Sequence, residues 1–122
     1  KIVTKPLPFV AMLELRGYID EYGNRRFAKW FARLDAIAAA KVTMALTRIE
    51  HGNLSNAKGV GAGVLEYKID FGPGYRIYFG RDGERFVILV GGGTKKRQDN
   101  DIAAAQDCWA DYKRRKKHAP YP

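Results

Sequence analysis

The segment VLEYKIDFGPGYRIYFGRDGERFVILV, residues 64 to 90, constrains the fold more than any other part of the chain. Leu65, Tyr67, Ile69 and Phe71 share one parity while Glu66, Lys68 and Asp70 share the other, the two-residue period of a strand with one apolar face. Tyr75, Ile77 and Phe79 repeat the pattern against Arg76 and Tyr78. GPG turns the chain between the two runs, and the Asp-Gly pair of RDG suits a tight hairpin. Phe86 to Val90 is apolar throughout and reads as a central strand covered on both faces. Three antiparallel strands in succession are therefore expected, with Lys68, Arg76 and Tyr78 on a wet face.

Helical periods flank this block. Phe27, Trp30, Phe31 and Leu34 recur at three and four residues, with Asn24 as the expected cap. Asp35 offers a second cap before AIAAAKVTMALTRIEHG, where Ile37, Met44 or Ala45, and Ile49 continue an apolar face until Gly52 ends it. Ile102, Ala105, Trp109 and Tyr112 mark a last helix, capped by Asp99 or Asn100 and ending in cations that suit the negative pole of its dipole. Leu13, Leu15, Tyr18 and Ile19 suggest a first strand, residues 1–9 an extended arm, and residues 53 to 63 a loop. The glycines of GVGAG and GGG also read as loops, since neither run fits a dinucleotide fingerprint. The expected order is strand, two helices, three antiparallel strands and helix: a single α+β domain over residues 1–122, its small antiparallel sheet flanked by an N-terminal helical hairpin and a C-terminal helix.

Twenty-two Lys and Arg against 13 Asp and Glu leave a net charge of +9, a field that attracts polyanions such as nucleic acid. A hydrophobic fraction of 46% is globular composition. Cys108 stands alone, so no internal disulfide forms, and its helical setting predicts a packed thiol. The lack of a signal-like apolar run at the start, and of any stretch fit to span a bilayer, predicts a cytoplasmic protein without membrane contact. His51, His118 and Cys108 are too isolated for ligand spacing, so neither a metal site nor a small-molecule cofactor is expected.

Cations and phenols at one sheet edge remain as functional candidates. Lys68 and Arg76 share a face if their strands pair through the FGPG turn, Tyr78 follows on that face, and Lys95, Lys96 and Arg97 leave the end of the third strand. The bland reading makes Lys68 and Arg76 exposed cross-strand partners of Glu66 and Asp70, each pair worth only about 0.2 to 1 kcal/mol. The basic tail, residues 113–122 with Lys113, Arg114 and Arg115, serves either as added affinity for RNA or as a solvated helix end.

FAKWFARL, KGVGAGVLEYKIDFGPGYRIYF and ILVGGGTKKRQDNDIAAAQDCWADY together resemble the RelE/ParE superfamily of bacterial toxins, in its HigB-like or phage-Gp49-like group of addiction module killer proteins. The likeness runs from about Phe27 to Tyr112. It implies a RelE-like fold and the toxin of a type II toxin-antitoxin system, cleaving messenger RNA on the ribosome without metal and neutralised by a cognate antitoxin, a helix-turn-helix protein. By the same resemblance Arg76, Lys68 and Lys95 are the catalytic candidates, with Lys96 and Arg97 as their neighbours; the reading of the residues adds Tyr78 and the tail cations Lys113, Arg114 and Arg115 to Lys96 and Arg97 as expected RNA contacts. Cleavage needs the 2′-hydroxyl deprotonated, the phosphorane charge stabilised and the leaving oxygen protonated. Arginine suits the second task, and a lysine crowded by like charges suits proton transfer. The ParE branch instead poisons DNA gyrase, and a non-catalytic binding module kept from a phage is a further alternative; fold cannot choose among them.

Overall fold

The computed structural model describes residues 12–118. The expected arm over residues 1–9 and the tail's end, 119–122, lie outside the described residues. Five strands form one sheet in the order β1-β5-β4-β3-β2: β1 (Glu14–Gly17), β2 (Ala57–Gly59), β3 (Val64–Ile69), β4 (Tyr75–Asp82) and β5 (Phe86–Thr94). Helices α1 (Arg26–Ala32) and α2 (Ala36–Glu50) separate β1 from β2, and a short 3₁₀ turn, Lys95–Arg97, leads into α3 (Gln98–His118). The fold is α+β with a C-terminal helix, as expected. The three predicted strands pair antiparallel, while β1 joins β5 in parallel through Glu14↔Phe86 to Gly17↔Leu89, which makes the sheet mixed.

One layer forms as the period of α2 predicts. Ala38, Val42, Ala45 and Ile49 are buried at four-, three- and four-residue intervals, and the last three, with Phe27, pack against Tyr67, Ile69, Ile77, Phe79, Val87 and Leu89. Ala45 holds the core position, not Met44, and Ile37 stays 65% exposed on the outer face. Asp35 caps the helix as expected, accepting from the Ala38 N–H at 2.8 Å. Gly52 ends it with φ +78, a backbone state that costs glycine little.

The opposite face departs from expectation. α3 lies across it, and Ala105 and Trp109 pack with Val64, Tyr78, Ile88 and Val90 in a second buried layer. The face carrying Arg76 and Tyr78 is thus not wet. Alternation alone misled here because the covering helix needs only Ala, Trp and Gly to seat itself: a Cβ on Gly80 would stand 2.5 Å from the Trp109 ring.

Smaller corrections have local causes. Asn24 does not cap α1; its backbone and side-chain amides donate to Asp20, and Arg25 takes the cap position without a side-chain bond. Asp99 and Asn100 cap nothing, because the 3₁₀ turn feeds straight into α3 and places Asp99 inside the first turn, where its charge suits the dipole. The cations at the far end of α3 do stand where the dipole favours them. Residues 57 to 59 of the expected loop pair as β2, and the three glycines Gly91 to Gly93 belong to β5.

Candidate functional site

β5 continues to Thr94 but β1 accompanies it only to Leu89, so among the described residues no strand borders its last five residues on that side. The glycines at this end let side chains lie against the backbone. A Cβ on Gly92 would stand 2.2 Å from the Trp30 ring, and one on Gly93 would stand 1.9 Å from Asp101 Oδ2. Trp30 comes from α1 and Asp101 from the first turn of α3. Between the two helices opens a cleft of about 530 Å³.

Four cations line it: Arg26, Lys29, Arg33 and Arg97. Arg26, Lys29 and Arg33 recur at three and four residues, so one stripe of α1, continued by its C-cap Arg33, faces the cleft. Trp30 supplies an aromatic wall, with its ring 6.4 Å from that of Tyr75. Asp101, only 8% exposed, completes the lining. Its Oδ2 is buried without a hydrogen-bond partner, and its Oδ1 lies 4.0 Å from Arg26 Nη2, beyond hydrogen-bonding range. Burial pushes this carboxyl above the usual carboxylate range, and the charges of Arg97 and Arg26 offset only part of that rise.

Beside the cleft, β3, β4 and the 3₁₀ turn bring the sequence-predicted trio together. Lys68 and Arg76 are direct cross-strand neighbours, as expected. Arg76 Nη1 donates to Gly74 O at 2.7 Å, and the Lys95 N–H donates to Pro73 O at 3.3 Å. A Cβ on Gly74 would meet Arg76 Nη1 at 3.0 Å and Lys95 Cβ at 3.3 Å, so both residues flank this glycine. Lys68 and Lys95 are exposed, whereas Arg76 is 4% exposed. The expectation of an open arginine is corrected.

Arg76 is held by Glu66, a buried carboxylate on the same face. Glu66 Oε2 accepts from the Tyr78 hydroxyl at 3.0 Å and from Gln98 Nε2 at 3.0 Å. Arg76 Nε stands 3.6 Å from the same oxygen, and Lys58 Nζ lies 3.8 Å from Oε1. Tyr78 is fully buried in this network, so it offers no face to a base; desolvation and the Glu66 charge raise its pKa. That corrects its placement on a wet surface.

Of the remaining predicted contacts, Lys96 and Arg97 are exposed on the 3₁₀ turn, and Arg97 enters the cleft. Lys113, Arg114 and Arg115 sit near the other end of α3, about 24 Å away at 1.5 Å per residue. There Arg114 and Arg115 pair with Asp111, and Lys113 lies over the Trp109 ring at 5.6 Å. The structure does not bring these three to the cleft. The sequence places Trp30 on an apolar helix face and leaves Arg26, Lys29 and Arg33 without a role, although the three- and four-residue spacing of these cations is legible in it.

No family model matches the chain. It is 38% identical over 81 residues to an uncharacterized protein of Haemophilus influenzae, an alignment covering 66% of this chain and 82% of the other.

Proposed function

We propose that this chain, which belongs to one family with the uncharacterized Haemophilus influenzae protein, is a RelE/ParE-like toxin: a cytoplasmic, metal-independent endoribonuclease that cuts messenger RNA on the ribosome and is restrained by a cognate antitoxin. One observation carries the reading. Arg26, Lys29, Arg33 and Arg97 line one cleft beside an indole, the combination that phosphates and unstacked bases favour. Among the described residues no helix is long and apolar enough to cross a membrane.

The groups divide by exposure. Arginines at the rim of the cleft suit the charge that develops on a phosphorane, because their planar forks bind two phosphate oxygens and stay charged. Lys68 and Lys95, exposed on either side of Arg76, are the candidates for moving the protons of the 2′-hydroxyl and leaving oxygen. Arg76 acts through them as a positioning residue, since Glu66 and Gly74 hold its guanidinium below the surface. Ribosome-bound message adds a substrate already fixed in a bent geometry.

The test maps cut sites in a messenger incubated with purified protein, with and without translating ribosomes. The expected result is ribosome-dependent cleavage, lost in the exposed-site variant Lys29→Glu/Arg33→Glu with its circular dichroism unchanged. Intact message together with blocked gyrase supercoiling would replace this reading with the ParE-like one.

A further inference from the structure

The outer side of α2 carries a pattern that core packing does not use. Ile37, Ala40, Met44 and Thr47 recur at three, four and three residues, the a and d spacing of a two-heptad helix seam. Lys41 and Arg48 then fall at the two e positions. All six are exposed, Ile37 at 65% and Met44 at 49%, whereas the helix buries Ala38, Val42, Ala45 and Ile49. Thr47 donates its hydroxyl to Thr43 O at 3.1 Å, which satisfies that polar group within the helix. Single exposed apolar side chains are ordinary, but a stripe of them flanked by one sign of charge marks an interaction surface.

A groove of about 230 Å³ continues the stripe toward the sheet edge, with Lys41, Met44 and Arg48 on one wall and Tyr67, Ile69 and Phe71 on the other. It is open because β2 accompanies β3 only from Leu65 to Tyr67. Phe71 is 37% exposed, and Lys41 Nζ lies 5.0 Å from the centre of its ring. Lys68 and Asp70 also border the groove with one charge of each sign, so Lys41 and Arg48 set its net charge. Among the described residues neither of these two cations forms an ion pair.

An occupant must fill the apolar seam and answer both cations. A second copy of this chain fails the second condition. In an antiparallel pair of α2 helices the e positions face each other, cation to cation, and in a parallel pair they face Ala36 and Thr43, which carry no charge. Residues 1–11 fail it too, since they bring Lys1 and Lys5 and no acid. A nucleic acid answers the charge but leaves Ile37, Ala40 and Met44 without an apolar partner. We propose that the outer face of α2 is a docking surface for an acidic amphipathic helix of another protein, its apolar residues seated along Ile37, Ala40 and Met44 and its carboxylates facing Lys41 and Arg48. From Ile37 to Arg48 the stripe runs about 16 Å at 1.5 Å per residue, room for about three turns of the partner. This surface shares no lining residue with the cleft between α1 and α3, so docking here does not depend on the polynucleotide reading.

The probe is a synthetic fluorescent peptide of about three heptads with Leu at a and d and Glu at e and g, long enough to form a helix in water and too acidic to pair with itself. Anisotropy titrations with the full chain are made at about 0.15 M salt, where screening confines charge effects to about 8 Å. Replacing Leu by Ser in the peptide at equal charge should weaken binding about tenfold or more, as should Ile37→Ser/Met44→Ser and Lys41→Glu/Arg48→Glu in the protein. Lys29→Glu/Arg33→Glu reverses as much charge in the cleft and should change the affinity by less than about twofold. Equal binding of the Leu and Ser peptides overturns the proposal, and that comparison needs no variant to fold. Equal losses in the two charge-reversal variants overturn it as well, because the attraction would then be diffuse. So does an absence of binding at about 0.5 mM peptide. Displacement of the probe by a peptide of residues 1–11 would make that segment the occupant, and a dimer in sedimentation equilibrium that Met44→Ser dissolves would make it a second copy; either result also overturns the proposal.

Discussion

Gly92→Ala tests whether the glycine run exists to seat the cleft's aromatic wall. The added Cβ would stand 2.2 Å from the Trp30 ring, where carbon atoms prefer roughly 3.5 Å, so the indole must retreat by about 1.3 Å. Trp30 touches the rings of Phe27 and Tyr75, which limits that retreat. Overpacking of this kind costs about 1–3 kcal/mol. Reduced freedom of the unfolded chain returns about 0.4–1 kcal/mol, since Gly92 does not have a positive φ that alanine would resist. A net loss of about 1–2 kcal/mol follows, read as a lower urea midpoint at unchanged slope. The diagnostic is a double-mutant cycle with Trp30→Ala: removing the ring removes the clash, so the double variant should be more stable than the sum of the single effects by about the size of the clash. Additive effects would refute the reasoning, because they would mean that Gly92 and Trp30 do not compete for the same space.

Three further outcomes are expected. Glu66→Ala should cost about 3–5 kcal/mol in urea unfolding, since it strands the buried Arg76 and unsatisfies Tyr78 and Gln98, and Glu66→Gln clearly less; a loss below about 1 kcal/mol for the alanine variant would contradict the network. Asp111 accepts from the Tyr18 hydroxyl and from Arg115, which holds its carboxyl below the usual range, so its stabilisation is complete above the unfolded carboxylate pKa and fades as pH falls through the lowered one; Asp111→Asn should flatten the acid limb of the stability profile. If the cleft's four cations meet phosphates, the affinity for single-stranded RNA should fall with log salt at a slope near −3, and Lys29→Ala/Arg33→Ala should reduce that to roughly −1.5 in anisotropy titrations.

The parts of the fold readable in the sequence are those where one residue class decides the structure alone. Period two placed β3 and β4, and their register set Lys68 opposite Arg76 as foreseen. Asp35 and Gly52 bounded α2 because capping and a positive φ are local needs. What stayed hidden depends on partners distant in sequence. Arg76 and Tyr78 look like surface residues until α3 covers them, and Glu66 accepts from Gln98, thirty-two residues away. Gly91 to Gly93 look like a loop until Arg26, Trp30 and Asp101 are seen to fill the space that side chains would need. Cations at 26, 29 and 33 were legible as a stripe, but only the bare end of β5 gives that stripe a cleft to face.

Two buried acids, Glu66 on the α3-covered face and Asp101 on α3 itself, differ in how the fold satisfies them. Glu66 and Asp101 each sit among cations, and at about 4 Å an opposite charge is worth about 4 kcal/mol at an effective dielectric of 20, before desolvation is subtracted. That attraction counters the mutual repulsion of so many positive residues at one end of a small sheet. Glu66 reaches the condition with its hydrogen bonds made, so it fixes where Arg76 and the start of α3 lie. Asp101 reaches it with Oδ2 buried and unpaired, so hydrogen bonds do not offset the desolvation of that oxygen. Removing the first acid should therefore weaken the fold, while neutralising the second should leave stability equal or higher. A loss of stability in Asp101→Asn comparable to that in Glu66→Ala would erase the distinction and return Asp101 to the framework.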